Sequence, residues 1–448
     1  MTDRLVGHVC CFVHGCLNRR NFDCFFFLLA DFMTQDCRFN TSILHGKVSR
    51  GYAQRELLPP VSQVTSFQYE NMEALENVFA HRAPGFAYTR IGNPTIAAFE
   101  QKICALEGGA GAICTGSGMA AVSSALLTIC RSGDEIIAGS GLYGGTIRLL
   151  RNFEKLGIHT VFVPKLNAEN VREVISERTR VVFGELIGNP SLSVMDVPAV
   201  AAVAHEHAVP LVVDATTATP YLARPLALGA DVVIHSTSKY MNGTGNAIGG
   251  MIIDGGKFNW DFSKHGALEE FSQYGKMAFS VRARTEICSN LGGCISPLNA
   301  YLSYVGVDTL GLRMERICEN AAALAERLDQ EKDITVNYLT LPHHPDHEFV
   351  ERELNGYGGG ILTIRVGSRE RAFEVINSLR YVKIASNLGD IRTLVIHPAS
   401  TLYRHNSKEE AEAAGVFEDT IRISVGIENK EDLIEDFLNA IGKSRHEQ

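Results

Sequence analysis

A lysine set at the end of an apolar run is the first residue of this chain whose placement suggests chemistry. Val232-Val233-Ile234-His235 leads at once into Ser236-Thr237-Ser238-Lys239-Tyr240, and then into a loop, Asn242-Gly243-Thr244-Gly245-Asn246, where a charged helix face would be ordinary. Most lysines are solvated surface residues, whereas one that leaves a buried strand directly can serve as a nucleophilic amine. A second apolar run, Val212-Val213, ends in Asp214, a place where an acid more commonly caps a helix or makes a turn. A third segment, Thr115-Gly116-Ser117-Gly118-Met119, joins a strand-like run to a helix-like one. Backbone N–H groups and the helix dipole can hold a phosphate there. Such glycines alone more often just turn the chain, and the spacing matches neither the GxGxxG fingerprint nor the Walker A loop. Each feature is weak by itself. Together they supply an amine to form a Schiff base with an aldehyde, an acid to keep a pyridine nitrogen protonated and a cradle for a phosphate, which are the requirements of pyridoxal phosphate.

These residues need a scaffold, and the hydrophobic pattern describes one. From residue 109 onward, apolar runs of strand length at 111–115, 135–138, 159–163, 181–186, 210–214 and 231–235 alternate with amphipathic stretches at 119–130, 146–156, 168–176 and 197–207. Continuous apolar strands separated by helices predict an α/β fold with a mostly parallel sheet flanked by helices. Ligands of such sheets sit at the carboxyl ends of the strands. After about residue 290 the pattern changes to a long helical stretch at 309–329 and strands at 360–366 and 420–425, which predicts a smaller C-terminal α+β domain. In Ile421-Arg422-Ile423-Ser424-Val425 the apolar residues alternate with Arg422 and Ser424, so Arg422 projects from the opposite face of its strand.

Composition narrows the function classes. With 448 residues, 42 basic against 51 acidic side chains and a net charge of −9, the chain lacks the basic footprint of a nucleic-acid or anionic-membrane binder. No window reaches the 18 or more apolar residues of a membrane span. The 11 cysteines are scattered without paired CxxC motifs, which indicates neither a structural metal nor a secreted disulfide framework and points to a reducing cytoplasm. Residues 1–32 differ from the rest. They hold Cys10, Cys11, Cys16, Cys24 and three consecutive phenylalanines without periodicity, and are expected to be a disordered or untranslated extension upstream of Met33.

At the residues named above the sequence resembles the cysteine and methionine metabolism family of pyridoxal-phosphate enzymes, from about Met33 to its end. The resemblance implies the fold-type I, aspartate-aminotransferase-like architecture. Tyr88-Thr89-Arg90-Ile91-Gly92-Asn93-Pro94 is similar to the family's arm, which implies that Tyr88 and Arg90 reach the cofactor phosphate of a neighbouring subunit. Leu106-Glu107-Gly108-Gly109 and Ser117-Gly118-Met119 are similar to the segments whose backbone binds phosphate within one subunit. By the same resemblance Tyr143 stacks on the pyridine, Asp214 pairs with its nitrogen, Lys239 carries the Schiff base, and Ser236 and Ser238, with Thr216, complete the cofactor contacts. Asn189, Asn387 and Arg422 take the substrate, Arg422 as a fork for its carboxylate. The implied division is an arm at 33–90, a cofactor-binding domain at 91–290 and a C-terminal domain at 291–448, in a homo-oligomer, dimer or tetramer. Asp390 and His397 lie in substrate-side loops of the family but fit turn chemistry equally well.

Within the family, Gly184-Glu185-Leu186-Ile187-Gly188-Asn189-Pro190, Asn246-Ala247-Ile248-Gly249-Gly250 and the extra stretch at about 254–277 resemble the O-acetylhomoserine sulfhydrylases. This implies homocysteine synthesis from O-acetylhomoserine and sulfide. Gly145 stands where methionine-cleaving lyases usually carry a cysteine. Ala215 replaces the asparagine that usually follows the aspartate, and Gly243-Thr244-Gly245 replaces glycine-histidine-glycine. The alternatives are cystathionine γ-synthase and, after it, a γ-lyase. A nicotinamide-dependent oxidoreductase would also explain the alternation of strands and helices, but it predicts a GxGxxG loop after the first strand and leaves Lys239 without use.

Overall fold

The computed structural model describes residues 38–45, 57–80 and 82–445; the expected N-terminal extension at 1–32 lies outside them. Among the described residues twelve strands form two sheets. Seven of them, β1 (Gly111–Thr115), β2 (Glu135–Gly139), β3 (His159–Val163), β4 (Thr179–Glu185), β5 (Leu211–Asp214), β6 (Val232–His235) and β7 (Gly250–Asp254), lie in the order β1-β7-β6-β5-β4-β2-β3. All neighbours are parallel except β7, which runs antiparallel to both β1 and β6. The other five, β8 (Thr335–Asn337), β9 (Ile361–Arg365), β10 (Lys383–Ile384), β11 (Leu394–Ile396) and β12 (Thr420–Ser424), lie in the order β10-β11-β12-β9-β8.

The alternation along each strand of the large sheet divides its side chains between two apolar layers. Val182, Val213, Val233 and Ile253 face one layer, against Phe99, Ile103 and Val200 from the helices Pro94–Glu107 and Val197–Glu206. Phe183, Val212, Ile234 and Ile252 face the other, against Leu126 and Leu150 from the helices Gly118–Ile129 and Gly144–Glu154. Both faces are covered, which is why these strands read as unbroken apolar runs. Local signals set the helix ends. Asn93 caps the helix Pro94–Glu107 by accepting from Thr95 N (2.9 Å), and Gly108 closes it at φ 73°, a left-handed conformation that favours glycine.

The long helix Leu310–Leu328 contributes Leu310, Met314 and Ile317 to the first layer and Leu324, Ala325 and Leu328 to the core of the small sheet. It therefore ties the two sheets together. In β12, Ile421 and Ile423 enter that second core while Arg422 and Ser424 lie on the opposite face. Strand β7 was not anticipated. Its apolar stretch is short, begins at consecutive glycines and reverses direction, so it lacks the helix-strand alternation that marks the parallel strands.

Candidate active site

Strands β4, β5 and β6 are parallel neighbours, with Glu185 in register with Asp214 and Asp214 with Ile234. Glu185, Asp214 and the turn after His235 therefore emerge along one carboxyl edge of the sheet. A cavity of about 460 Å³ opens there, and its lining includes Ser117, Gly118, Met119, Tyr143, Asn189, Asp214, Thr216, Ser236, Ser238, Lys239, Asn387 and Arg422. These twelve cofactor and substrate candidates thus meet in one place, although they span more than 300 positions of the chain; Tyr88, Arg90 and the segment 106–109 lie outside it.

The lysine is held by a tight turn. Lys239 N donates to Ser236 O (3.2 Å), Gly243 N donates to Lys239 O (2.8 Å), and the following Tyr240 is fully buried. Its Nζ donates to Asn387 Oδ1 (2.6 Å). Burial, and then the nearby Arg422 charge, bring the amine down from its ordinary value to about 8. Asp214 accepts from Thr216 N (2.9 Å), and the Thr216 hydroxyl in turn accepts from Ser236 N (2.7 Å), so one short relay links the ends of β5 and β6. Burial raises the Asp214 carboxyl, against the pull of the Thr216 hydrogen bonds and the His235 ring.

Arg422 is buried and its guanidinium is brought down to about 10 by desolvation. Nη2 donates to the Asn387 carbonyl (2.7 Å) and Nη1 to Asn189 Oδ1 at a long 3.4 Å, while the buried Nε has no partner. Buried donors are normally satisfied, so this fork is open to a further acceptor. Ser117 caps the helix Gly118–Ile129, accepting from Ala120 N (3.1 Å). The first turn of that helix presents N–H groups with no intrahelical acceptor. A Cβ at Gly118 would lie 2.6 Å from Ser236 Cβ, so only glycine lets the helix start approach the serine turn this closely. The cradle, the two serines, the acid, the lysine and the open fork fit a pyridine aldehyde bearing a phosphate, with an amino acid beside it.

One expected segment falls elsewhere. Leu106–Gly109 does not line the cavity: Gly108 closes a helix, and the buried Glu107 binds His235 Nε2 at 2.5 Å. Asp390 makes turn and ion-pair contacts with Arg392 (2.7–3.0 Å), and His397 holds Ser400 Oγ and Glu418 O, so both follow turn chemistry. Arg90 Nη1 donates to Ser289 Oγ (3.1 Å) of the same chain, and Tyr88 is 40% exposed beside it. Glu185, Thr217, Leu388 and Leu402 also line the cavity and were not singled out from the sequence. For Glu185 a signal existed, since it is an acid near the end of an apolar run like Asp214, but that run was read one residue too long. Among the described residues no group of three or more His, Cys, Asp or Glu could hold a metal, and no helix is long and apolar enough to cross a membrane.

An amine, an acid, a phosphate cradle and an open carboxylate fork at the carboxyl edge of a mostly parallel sheet are the fittings of an α/β enzyme that works on amino acids through an aldehyde cofactor. Comparison with known proteins agrees. Residues 40–442 match the family model described as Cys/Met metabolism PLP-dependent enzyme. The chain is 38% identical to O-acetyl-L-homoserine sulfhydrylase of Leptospira meyeri, covering 91% of this chain and 98% of that one. It is 38% identical to the homocysteine/cysteine synthase of Saccharomyces cerevisiae, covering 89% and 96%. A crystal structure of an O-acetylhomoserine (thiol)-lyase from Campylobacter jejuni, which carries a pyridoxyl-lysine phosphate, superposes with a TM-score of 0.86 at 32% identity, covering 91% and 100%. The chain belongs to the Cys/Met metabolism PLP-dependent enzyme family, and its cofactor is pyridoxal 5'-phosphate.

Proposed function

We propose that this enzyme carries out γ-replacement, making homocysteine from O-acetylhomoserine and sulfide with release of acetate. The observation that carries the reading is the meeting of Lys239, Asp214 and the open Arg422 fork in one cavity, on a chain whose relatives are named for this reaction. Pyridoxal phosphate, when bound, supplies an electron sink for charge that develops on carbons next to the substrate amine. The rest falls to the chain. The first turn of the helix Gly118–Ile129, with Ser236 and Ser238, would hold the phosphate. Asp214 would pair with the ring nitrogen and Tyr143 would stack on the ring. Arg422 receives the substrate carboxylate through Nε and Nη2, the first now unpartnered and the second now on a carbonyl. Lys239, with its amine brought down to about 8, is neutral often enough near neutral pH to take and return protons at the α and β carbons. Acetate leaves the γ carbon and sulfide takes its place.

The test is a steady-state assay with sulfide, cysteine and methanethiol against the acetyl and succinyl esters. Homocysteine from the acetyl ester and sulfide at the highest kcat/KM supports the reading. Cystathionine from cysteine as the main product would make the enzyme a cystathionine γ-synthase, and a 2-oxo acid released without any thiol would make it a γ-lyase. Gly145 favours replacement over cleavage.

The same reading assigns 33–90 as an arm to a neighbouring subunit, 91–290 to cofactor binding and 291–448 to the C-terminal domain. Tyr88 and Arg90 stand outside their own chain's cavity lining, and Leu57, Val64, Met72 and Phe79 are exposed on the arm, which supports a dimer or tetramer of closed symmetry. Mixing inactive Lys239→Ala and Arg90→Ala chains should then restore partial activity, since a hybrid dimer contains one intact site. Absence of complementation in confirmed hybrids would place the arm within its own chain. Cys104, Cys114, Cys130, Cys288, Cys294 and Cys318 are all free thiols, which supports a reducing, cytoplasmic setting.

A further inference from the structure

Glu185 ends β4 inside the cavity, and the reading above gives it no role. Its Oε1 accepts from Tyr143 N at 2.6 Å, and the backbone N–H of Asn189 lies near the same carboxyl and favours its charged form. These two N–H groups belong to two separate loops. One starts the helix Gly144–Glu154 and carries the Tyr143 ring; its N-terminus has no side-chain cap of its own. The other carries the Asn189 amide that faces Arg422. A single carboxyl on a rigid central strand therefore binds the loop with the ring and stands beside the loop with the amide, while its backbone is in register with Asp214.

The charged and titratable groups around it are few. Asp214 faces it from β5, Tyr143 and Tyr403 from the adjoining loops, Arg422 from β12 and Lys239 from the turn after β6, with His235 acting on Asp214. No hydrogen bond joins Glu185 to a cation among the described residues. Burial, then the Asp214 charge, push its carboxyl up to about 8, against the two N–H groups. A carboxyl buried beside another acid, where its charged form is disfavoured, is retained for what its oxygen holds.

We propose that Glu185 is a positioning residue of the γ-replacement reaction: its carboxyl oxygen fixes the Tyr143 ring and the Asn189 amide in one frame with Asp214, so that ring stacking and the geometry of the substrate fork depend on one side chain. The proposal rests on the reading given above.

Three variants of the holoenzyme test it. Glu185→Ala removes the acceptor, and a displacement of about 1 Å in the groups it holds should lower kcat on the order of 100-fold, raise KM for O-acetylhomoserine and weaken the visible circular dichroism of the bound cofactor. Glu185→Gln keeps an acceptor oxygen at the same reach and should stay within about fivefold of wild type, with the dichroism retained. Glu185→Asp keeps the carboxyl but withdraws the oxygen by one methylene, and should behave like Glu185→Ala even where the alanine variant does not fold. The proposal is overturned if Glu185→Asp matches wild type while Glu185→Gln fails, which would make the charge the active property, or if Glu185→Ala keeps wild-type kinetics and dichroism. The dichroism needs no substrate. If the wild type makes no homocysteine yet the signal follows this order, the γ-replacement reading falls and the positioning role stands.

Discussion

Two buried arginines flank the candidate lysine, and their surroundings differ in a way that separates structure from function. Arg313 and Arg422 are both nearly inaccessible, both are brought down to about 10 by desolvation, and neither is bonded to a carboxylate. Arg313 has every nitrogen engaged: Nε donates to Thr309 Oγ1 (3.1 Å), Nη1 to Tyr240 O (2.5 Å), and Nη2 to Met241 O (3.2 Å) and Gly306 O (2.7 Å). It pins the turn that follows Lys239 to the helices Pro297–Val307 and Leu310–Leu328. Arg422 holds one carbonyl well and one amide at long range, and leaves Nε without a partner. Burial and a lowered pKa are shared, so neither identifies a site. The unfilled donor does, because a buried N–H without an acceptor costs about 1–3 kcal/mol and persists where a ligand will complete it.

The largest effect is expected at the lysine between the two. Lys239→Ala should abolish turnover, since no other amine among the lining residues can take its place; measurable wild-type rates would end the comparison by removing its centre. Next come the arginines themselves. Arg422→Met should lower kcat/KM by about a thousandfold, or about 4 kcal/mol, as expected for truncating one partner of a buried charged pair. Its denaturation midpoint should hold or rise, because an unsatisfied buried cation is gone. Arg313→Met should do the reverse, costing about 3 kcal/mol of folding stability as three backbone carbonyls lose their donor, with KM for the substrate changed little in the folded fraction. Equal destabilisation by both, read from urea unfolding, would refute the distinction. Asp214→Asn should retain bound cofactor and lose most activity, a smaller loss than at Lys239, because the neutral amide cannot hold the ring nitrogen protonated.

The smallest effect is a slope. Glu185 has a folded-state pKa raised from 4.5 to about 8 by burial and Asp214, so its contribution to stability is full below the unfolded value and is lost as pH rises through about 8. In the full chain stripped of cofactor, Glu185→Gln should therefore gain thermal stability relative to wild type as pH rises from about 5 to 8, and hold a constant advantage above that. A difference independent of pH would mean that the Glu185 carboxyl is ionised throughout.

Much of this was legible from local pattern. The runs ending at Asp214 and before Ser236 marked the carboxyl edge of the sheet, and the change in pattern near residue 290 marked the second sheet. The alternation around Arg422 placed it on the face opposite Ile421 and Ile423. Other features were not legible. Strand β7 broke the alternation, Glu185 was hidden inside an apolar run read one residue too long, and Leu106–Gly109 looked like a phosphate segment although Gly108 closes a helix and Glu107 binds His235.

What the sequence determined by itself is the local chemistry: which residues are apolar at which period, where glycine is required, and which amine, acid and guanidinium stand at strand ends. Side-chain period and backbone conformation depend on neighbours in the chain, and those are written in order. Tertiary structure alone decided which polar groups are satisfied. Tyr143 N reaches Glu185 across 42 positions, Lys239 reaches Asn387 across 148, and Arg422 reaches Asn189 across 233. Hydrogen-bond satisfaction belongs to neighbours in space, so the difference between Arg313, fully engaged, and Arg422, left open, exists only once the two sheets have come together.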